Sequence, residues 1–237
     1  TVRNVMNMSS GLDTEETIEN LMNPDSWIAK WFTAAFELNK GDFREMSKNA
    51  KPLQGESAGE HFRYSGSNTM TLVLATQYVS GMRWQDLWNE RVWSKIGAKN
   101  PFICGLAQDG TPLAAGLHNT TPEDLLRYTL IYTPSWNVVS DEQIVSDRLL
   151  KSIQTMGNPE AYKGSTEEQY GTDWFGEVPA YNSAQWDHVF SDGAMFKHGN
   201  MGQGIYVDPA RDFCGMYFGL APNADEISGI DHSPGYL

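Results

Sequence analysis

Cysteine is scarce in this chain of 237 residues, which contains only Cys104 and Cys214. Two cysteines cannot form the disulfide framework of a small secreted domain, and one bridge or two free thiols are both compatible with this count. Long apolar runs are also missing. A membrane-spanning helix needs about 18 consecutive apolar residues, so we expect no segment of this chain to span a membrane. No basic segment followed by an apolar one opens the chain, so we expect that any signal peptide has been removed or was never present.

Positive charge is in short supply. Lys and Arg number 17 against 30 Asp and Glu, which gives a formal net charge of −13 at pH 7. Such a chain repels polyanions, which argues against nucleic acid or an anionic membrane surface as a partner.

Motifs for metals and cofactors are absent as well. The five histidines show no His-Glu-x-x-His or similar ligand spacing, so we predict no metal site. Gly199, Gly202 and Gly204 have the wrong order for a phosphate loop and precede a predicted strand, so no nucleotide cofactor is expected. A Gly-x-Ser-x-Gly elbow is missing, which disfavours an α/β-hydrolase.

What the chain does contain is enough apolar material for a packed core. Hydrophobic residues make up 40% of the sequence and include eight tryptophans. A chain of this length and composition forms one large domain or two small lobes.

Helical patterns dominate the first two thirds. Thr1 is a candidate cap for a first short helix, and apolar residues recur at helical spacing over 24–40 and 70–79. Thr121-Pro122-Glu123-Asp124 is a strong helix start, and Ser140 with Gln143 forms a capping box that predicts a helix up to Met156. Residues 41–60 are predicted to be a loop.

The pattern changes after residue 160. Residues 170–178 and 194–198 are predicted strands, and two further runs, 204–207 and 213–219, flank Asp208-Pro209-Ala210-Arg211. Proline at the second position of this tetrapeptide is typical of a type I turn, so these two runs are predicted to form an antiparallel hairpin.

Tyr64 is the first candidate for chemistry. Its neighbours Ser65 and Gly66 are too small to cover its hydroxyl, and the helix predicted from Met70 would anchor it. A tyrosine in this place can carry a proton. The alternative is ordinary helix capping by Ser67, with Tyr64 merely packing.

The second candidate is the glycine-rich stretch Lys197-His198-Gly199-Asn200-Met201-Gly202 at the end of a predicted strand. Glycine-rich backbone can approach a substrate closely and can point N–H groups at a developing oxyanion. A hairpin turn that uses glycine for its twist would produce the same pattern.

Taken in order, these segments resemble the serine β-lactamase and penicillin-binding-protein superfamily, especially its class C β-lactamase-like branch of esterases, peptidases and amidases. The resemblance covers nearly the whole chain. It rests on residues 1–12, 59–65, 114–125 and 197–209, which are similar to the segment after the nucleophile helix, the tyrosine motif, the glycine turn with its helix, and the third motif with its hairpin.

The resemblance implies an α+β fold with an antiparallel sheet flanked by helices and a mostly helical lobe. We place the helical lobe at residues 1–166 and the sheet lobe at 167–237. The implied function is a serine hydrolase that cleaves an ester, amide or peptide through an acyl-enzyme and uses no cofactor. A periplasmic or secreted bacterial protein is slightly favoured, although the sequence itself leaves the compartment open.

Site residues follow from the same resemblance. Tyr64 and His198 are the expected catalytic residues, supported by Ser65, Gly66 and Asn68. The expected substrate and oxyanion contacts are Gly199, Asn200, Met201 and Gly202.

The chain also departs from the family pattern. The nucleophile motif Ser-x-x-Lys is not found, and its nearest match, Ser80-Gly81-Met82-Arg83, ends in arginine and follows the tyrosine. We therefore expect the nucleophile on a segment upstream of Thr1. Gly66 replaces the asparagine of class C β-lactamases, and Gly199 replaces the hydroxyl residue of the third motif. These changes favour esterases and 6-aminohexanoate-dimer hydrolase-like amidases over β-lactamases. The alternative is a non-catalytic protein of this fold that recognises peptide or cell-wall fragments.

Overall fold

A computed structural model describes residues 1–37, 40–199 and 202–219. Within this part, the chain divides into two compact units. The first unit comprises Thr1–Leu87 and Ile103–Asn119, and the second comprises Trp88–Phe102 and the described residues from Thr120 onward. None of the described helices is both long and apolar enough to cross a membrane.

The first unit is mostly helical. Its helices are α1 (Val2–Met6), α2 (Ile18–Met22), α3 (Trp27–Phe36), α4 (Phe43–Lys48), α5 (Gly66–Ser80) and α6 (Trp84–Arg91), the last of which runs into the second unit. Two short strands, β1 (Ile103–Cys104) and β2 (His118–Asn119), pair antiparallel.

Helix α3 forms the centre of the first unit's core. Ser26 caps it by accepting a hydrogen bond from the Ala29 N–H, and its apolar residues recur at a spacing that faces the interior. The buried Trp31 of α3 packs on Phe43 and donates its indole N–H to Ser47 Oγ at 2.9 Å. This hydrogen bond satisfies the polar edge of an otherwise apolar side chain.

The second unit contains a five-stranded antiparallel sheet and four α-helices among its described residues. The helices are α7 (Pro122–Leu130), α8 (Asp147–Thr155), α9 (Pro159–Tyr162) and α10 (Thr166–Phe175), and 3₁₀ turns lie at Trp93–Lys95 and Pro134–Val138. The strands follow the order of the chain as β3 (Tyr181–Ser183), β4 (Trp186–Val189), β5 (Met195–Gly199), β6 (Gln203–Asp208) and β7 (Phe213–Phe218).

Both faces of this sheet are packed with apolar side chains. Successive residues of a strand point to opposite faces, so the neighbours Met195 and Phe196 belong to different clusters. Met195 packs with Ile153 of α8, and Phe196 packs against Trp174 and Phe175 of α10. The sheet is therefore covered by helices, as the family resemblance implies.

Several predicted elements are confirmed. Thr1 caps α1, Thr121 caps α7 with Pro122 in its first turn, and the predicted hairpin is formed by β6 and β7. Cys104 and Cys214 are both free thiols, which settles the open alternative.

Other predicted elements were wrong. The predicted loop 41–60 contains α4, and Ser146, not Ser140, caps the helix that ends at Thr155. Residues 170–178 were predicted to be a strand, but most of them belong to α10, where Tyr170 stacks on Trp174 one helical turn later. Aromatic residues four apart suit a helix face as well as a strand.

The boundary between the units also differs from residue 166. Residues 120–166 belong to the unit that contains the sheet. The physical reason is packing, because α7 contacts β7 and β6, and α8 contributes Ile153 to the core beneath the sheet. Ser233-Pro234-Gly235-Tyr236-Leu237, which has the sequence of a helix cap and first turn, lies outside the described residues.

Asp124 of α7 provides a test of this packing. Its buried carboxylate accepts the N–H groups of Lys99 and Asn100 at 2.8 and 3.0 Å and the hydroxyl of Thr121 at 2.9 Å. Burial alone would raise the pKa of Asp124, but these hydrogen bonds outweigh it and lower the pKa to about 2.

We expect Asp124→Ala to lower the free energy of unfolding by about 2 kcal/mol, because the N–H groups of Lys99 and Asn100 and the hydroxyl of Thr121 lose a charged acceptor. The exposed neighbour offers a matched control, and Glu123→Gln should cost less than about 1 kcal/mol. Urea unfolding of the natural protein and both variants measures these free energies of unfolding. The stabilisation by Asp124 should be complete above pH 3.8 and be lost as the pH falls towards 2. Equal losses in the two variants would contradict this assignment.

Candidate active site

Tyr64 lies in the first unit, immediately before helix α5. The cap of this helix is Ser65, and not Ser67 as the alternative interpretation supposed. Ser65 Oγ accepts the N–H of Ser67 and lies 2.8 Å from the Ser67 hydroxyl, and both serines are buried. The helix start therefore fixes the backbone directly after Tyr64.

Glu16 holds the tyrosine segment from both sides. Its backbone N–H donates to the carbonyl of Tyr64 at 3.0 Å, and its carboxylate accepts the N–H of Gly66. One acidic residue thus bonds to the backbone before and after Ser65. A side chain at Gly66 would not fit, because its Cβ would lie 2.9 Å from Ala115 Cβ and 3.0 Å from Glu16 Oε1.

Arg63 anchors the other side of the tyrosine. Its guanidinium donates to Glu15 Oε2 at 2.7 Å and to Glu56 Oε2 at 2.6 and 2.8 Å, and its N–H donates to the carbonyl of Met8 at 2.7 Å. The hydrogen bonds with Glu56 and Glu15 outweigh the effect of burial and raise the pKa of Arg63. Three separate segments therefore converge on the residue before Tyr64.

Asn68 is fully inside the first unit, one turn into α5. Its amide Nδ2 contacts Met8 Sδ at 3.5 Å, and its Oδ1 is buried without a hydrogen-bond partner among the described residues. It supports the tyrosine segment by packing α5 on the segment that follows α1.

The third-motif stretch lies at the end of β5 in the second unit. Strand β4 pairs with Met195 and Phe196, whereas Lys197, His198 and Gly199 pair only with β6. The described pairing of β4 with β5 therefore ends at Phe196. Beyond it, the carboxylate of Asp187 on β4 accepts the His198 N–H at 2.9 Å.

Asp187 is the buried centre of a charged cluster. Its two oxygens lie 2.7 and 2.9 Å from the Lys197 ammonium, and Oδ2 lies 3.4 Å from His198 Nε2. Burial disfavours the ionised carboxylate, but the charges of Lys197 and His198 outweigh this effect and lower the pKa of Asp187.

Glu167 of α10 completes the cluster. Its Oε2 lies 2.9 Å from His198 Nε2, and its side chain is only 8% exposed. Burial disfavours the charged imidazole, but the carboxylates of Asp187 and Glu167 together outweigh it, so the pKa of His198 is raised above 6.5. The two carboxylates therefore favour the protonated form of this imidazole.

His188 behaves in the opposite way. It is fully buried on β4, where Nδ1 lies 2.8 Å from the Tyr162 hydroxyl, and Nε2 has no hydrogen-bond partner among the described residues. Burial lowers the pKa of His188 to about 3. This ring is neutral, although it is only 6.1 Å from the ring of His198.

Glu167, His188 and His198 each offer a metal-ligand atom within 4.8 Å of the others. The geometry fits a salt-bridge network better than a metal centre. The 2.9 Å between Glu167 Oε2 and His198 Nε2 is shorter than the about 3.3 Å that separates two ligands of a tetrahedral zinc ion. The nearby ammonium of Lys197 would also repel a cation.

Backbone and steric constraints explain why two positions of the third-motif hairpin are glycine. A Cβ at Gly204 would lie 2.4 Å from Tyr217 Cε1, because this ring covers the strand there. Gly202 adopts φ of 99°, a left-handed conformation that favours glycine, and its carbonyl accepts the N–H of Gly219. Asn200 and Met201, the other expected oxyanion residues, lie outside the described residues.

The sequence-based prediction missed Glu16, Glu167 and Asp187. Each is an acidic residue far along the chain from the motif that it holds, and the sequence has 30 such residues. Only for Asp187 was there a local signal, since it lies between the apolar residues Trp186 and Val189 of a buried strand.

Comparison with known proteins gives consistent matches. A curated relative, 6-aminohexanoate-dimer hydrolase from Paenarthrobacter ureafaciens, is 26% identical over 172 residues, which is 73% of this chain and 42% of that protein. The chain thus spans less than half the length of this relative.

Solved structures show the same fold at low identity. A Bacillus anthracis protein, provisionally assigned as a 6-aminohexanoate-dimer hydrolase, superimposes with a TM-score of 0.72 at 20% identity, covering 100% of this chain and 59% of that one. A beta-lactamase from Mycobacterium bovis gives a TM-score of 0.58 at 16% identity, covering 100% of this chain and 72% of that one.

The sequence profile of the Beta-lactamase family matches residues 1–225, which is nearly the whole chain. The resemblance noted from the tyrosine and third motifs is thereby confirmed, together with the mixed fold that it implies. The chain belongs to the beta-lactamase family.

Proposed function

We propose that the protein is a serine hydrolase that cleaves an ester or amide through an acyl-enzyme. The observation that carries the proposal is the double hold of Glu16 on the segment 64–66, which fixes the tyrosine at the start of α5. A proton carrier must be held in place to act in the transition state. Family membership supplies the reaction class.

The reaction would proceed in two halves. A serine attacks the carbonyl carbon, and its proton passes to the phenolate oxygen of Tyr64, which becomes a neutral phenol. The tetrahedral intermediate then expels the alcohol or amine, which takes that proton from Tyr64. Water attacks the acyl-enzyme in the same way, its proton returning to the serine through Tyr64, and the acid is released.

The third motif would serve the carbonyl oxygen. Gly199, the last residue of β5, and Gly202 have no side chains that could block a substrate, and the N–H of Met201 is the proposed oxyanion donor. His198 is the second proposed catalytic residue, and its positive charge favours the developing negative charge on this oxygen.

The substrate class follows from two supports. A curated relative is named as a hydrolase of the 6-aminohexanoate dimer, an amide. In addition, Gly199 stands where β-lactamases carry a hydroxyl residue. We therefore place small linear amides and esters ahead of β-lactams as substrates of this protein.

Replacing Tyr64 tests the proposal. In the natural protein, Tyr64→Phe should lower turnover of a p-nitrophenyl ester by about 100-fold or more, because the proton carrier is lost. Tyr78→Phe is the matched control, since this tyrosine lies on the same helix α5 and is 90% exposed. A loss of less than threefold for Tyr64→Phe would refute the role of Tyr64. An inactive natural protein that still binds peptide or cell-wall fragments would favour the non-catalytic alternative.

Replacing Glu16 tests how the tyrosine is held. We expect Glu16→Ala to lower kcat on the order of 10-fold with little change in KM, because a loosened proton carrier is misplaced in the transition state. Glu19→Ala, an exposed acidic residue in the first turn of α2, should leave kcat unchanged. Steady-state kinetics of both variants measure the difference, and equal kcat values would contradict it.

A further inference from the structure

We propose that Glu167 and Asp187 are positioning residues that keep His198 as an imidazolium at the end of β5, so that a fixed positive charge serves the oxyanion site. This inference rests on the proposed hydrolase function. It assigns tasks to two acidic residues that neither motif contains.

Two carboxylates hold the ring and the backbone of His198. Three contacts converge on His198 from two directions, because Glu167 on α10 and Asp187 on β4 lie 2.9 and 3.4 Å from Nε2, and Asp187 also accepts the His198 N–H at 2.9 Å. A carboxylate at 2.9 Å requires a proton on Nε2, since two acceptors cannot share a hydrogen bond. Nε2 is thus a donor and is not available as a base.

The balance of charges in the cluster also favours a protonated His198. With both carboxylates ionised, Lys197 and a protonated His198 bring the cluster to zero net charge. A neutral His198 would leave one buried negative charge without a counterion. An uncompensated buried charge is costly, so the cluster itself favours the cation.

Among the described residues, no other group on this face opposes the cation strongly. Besides Glu167, Asp187 and Lys197, the titratable groups described around the ring are His188, Tyr162, Tyr170 and Tyr217. Burial keeps His188 neutral and raises the pKa of each of the three phenols, so none of these four carries a charge near neutral pH. Lys197 is the one cation among them, and Asp187 binds its ammonium directly.

The position of the His198 ring is fixed by packing as well as by charge. The ring is held edge-on to Trp174, with centroids 5.2 Å apart. A preorganised cation next to Gly199 costs no reorganisation when negative charge develops on the substrate oxygen. The positioning residues would therefore set the pH range of activity without touching the substrate.

The test is a titration of the His198 ring by NMR in the natural protein, with the resonance assigned by its loss in His198→Gln. We expect a midpoint above 6.5. In Glu167→Gln, which keeps a hydrogen-bond acceptor but removes the charge, the midpoint should fall by about 1 pH unit or more. Asp173→Asn, which removes an exposed charge from the same helix α10, should leave it unchanged.

The pH profile of kcat/KM supplies the functional readout. Its alkaline limb should move to lower pH in Glu167→Gln by the same amount as the ring midpoint, and Glu167→Asp should restore it at least in part. A purely structural role would lower the rate at every pH and leave the limb in place, which would overturn the proposal. The ring titration needs no substrate, so a wild-type midpoint at or below 6.5 overturns it even if Glu167→Gln does not fold, and whether or not the protein is a hydrolase.

Discussion

The hydrogen bonds to the carboxylate of Asp187 are the constraint on which the second unit's candidate site depends. The described pairing of β4 with β5 ends at Phe196, directly before the motif residues Lys197 and His198. Asp187 bonds to the backbone of His198 and to the ammonium of Lys197. A single buried acid therefore bonds to the backbone of one residue of this strand and to the side chain of its neighbour.

In the first unit, charged residues also hold the backbone at the candidate site. Glu16 and Arg63 hold the chain on either side of Tyr64, and each bonds to a segment distant in sequence. In both units a loop or strand end that carries the candidate chemistry is fixed by charged groups, while apolar clusters supply the packing behind it. Charge-assisted hydrogen bonds are directional, which apolar contacts are not, so they suit this task.

Much of the fold could be predicted from the sequence, and the elements that could not have identifiable reasons. Local signals sufficed for α7, whose cap and proline are adjacent, and for the hairpin of β6 and β7. They failed for the hairpin of β3 and β4, because its turn residues Ala184 and Gln185 both adopt positive φ, of 50° and 74°. Asparagine and glycine are the usual residues there, so nothing marked the turn.

The candidate site shows the same division. Tyr64 and the glycines of the third motif belong to continuous stretches of sequence, so they can be recognised from the sequence alone. Glu16, Glu167 and Asp187 act across the fold, and their partners are set by packing that no local pattern encodes. The charged residues that hold a motif in place are thus the part of the site that a single sequence does not reveal.

The neutral, buried His188 gives the protein a limited tolerance of acid. Its pKa is about 3 in the sheet because of burial, whereas an unfolded histidine titrates near about 6.5. Below that value the unfolded chain takes up a proton that the sheet refuses, so the folded state loses roughly 1.4 kcal/mol for each pH unit between these limits. The strand that carries Asp187 thereby makes the folded state less stable as the pH falls from about 6.5 towards 3.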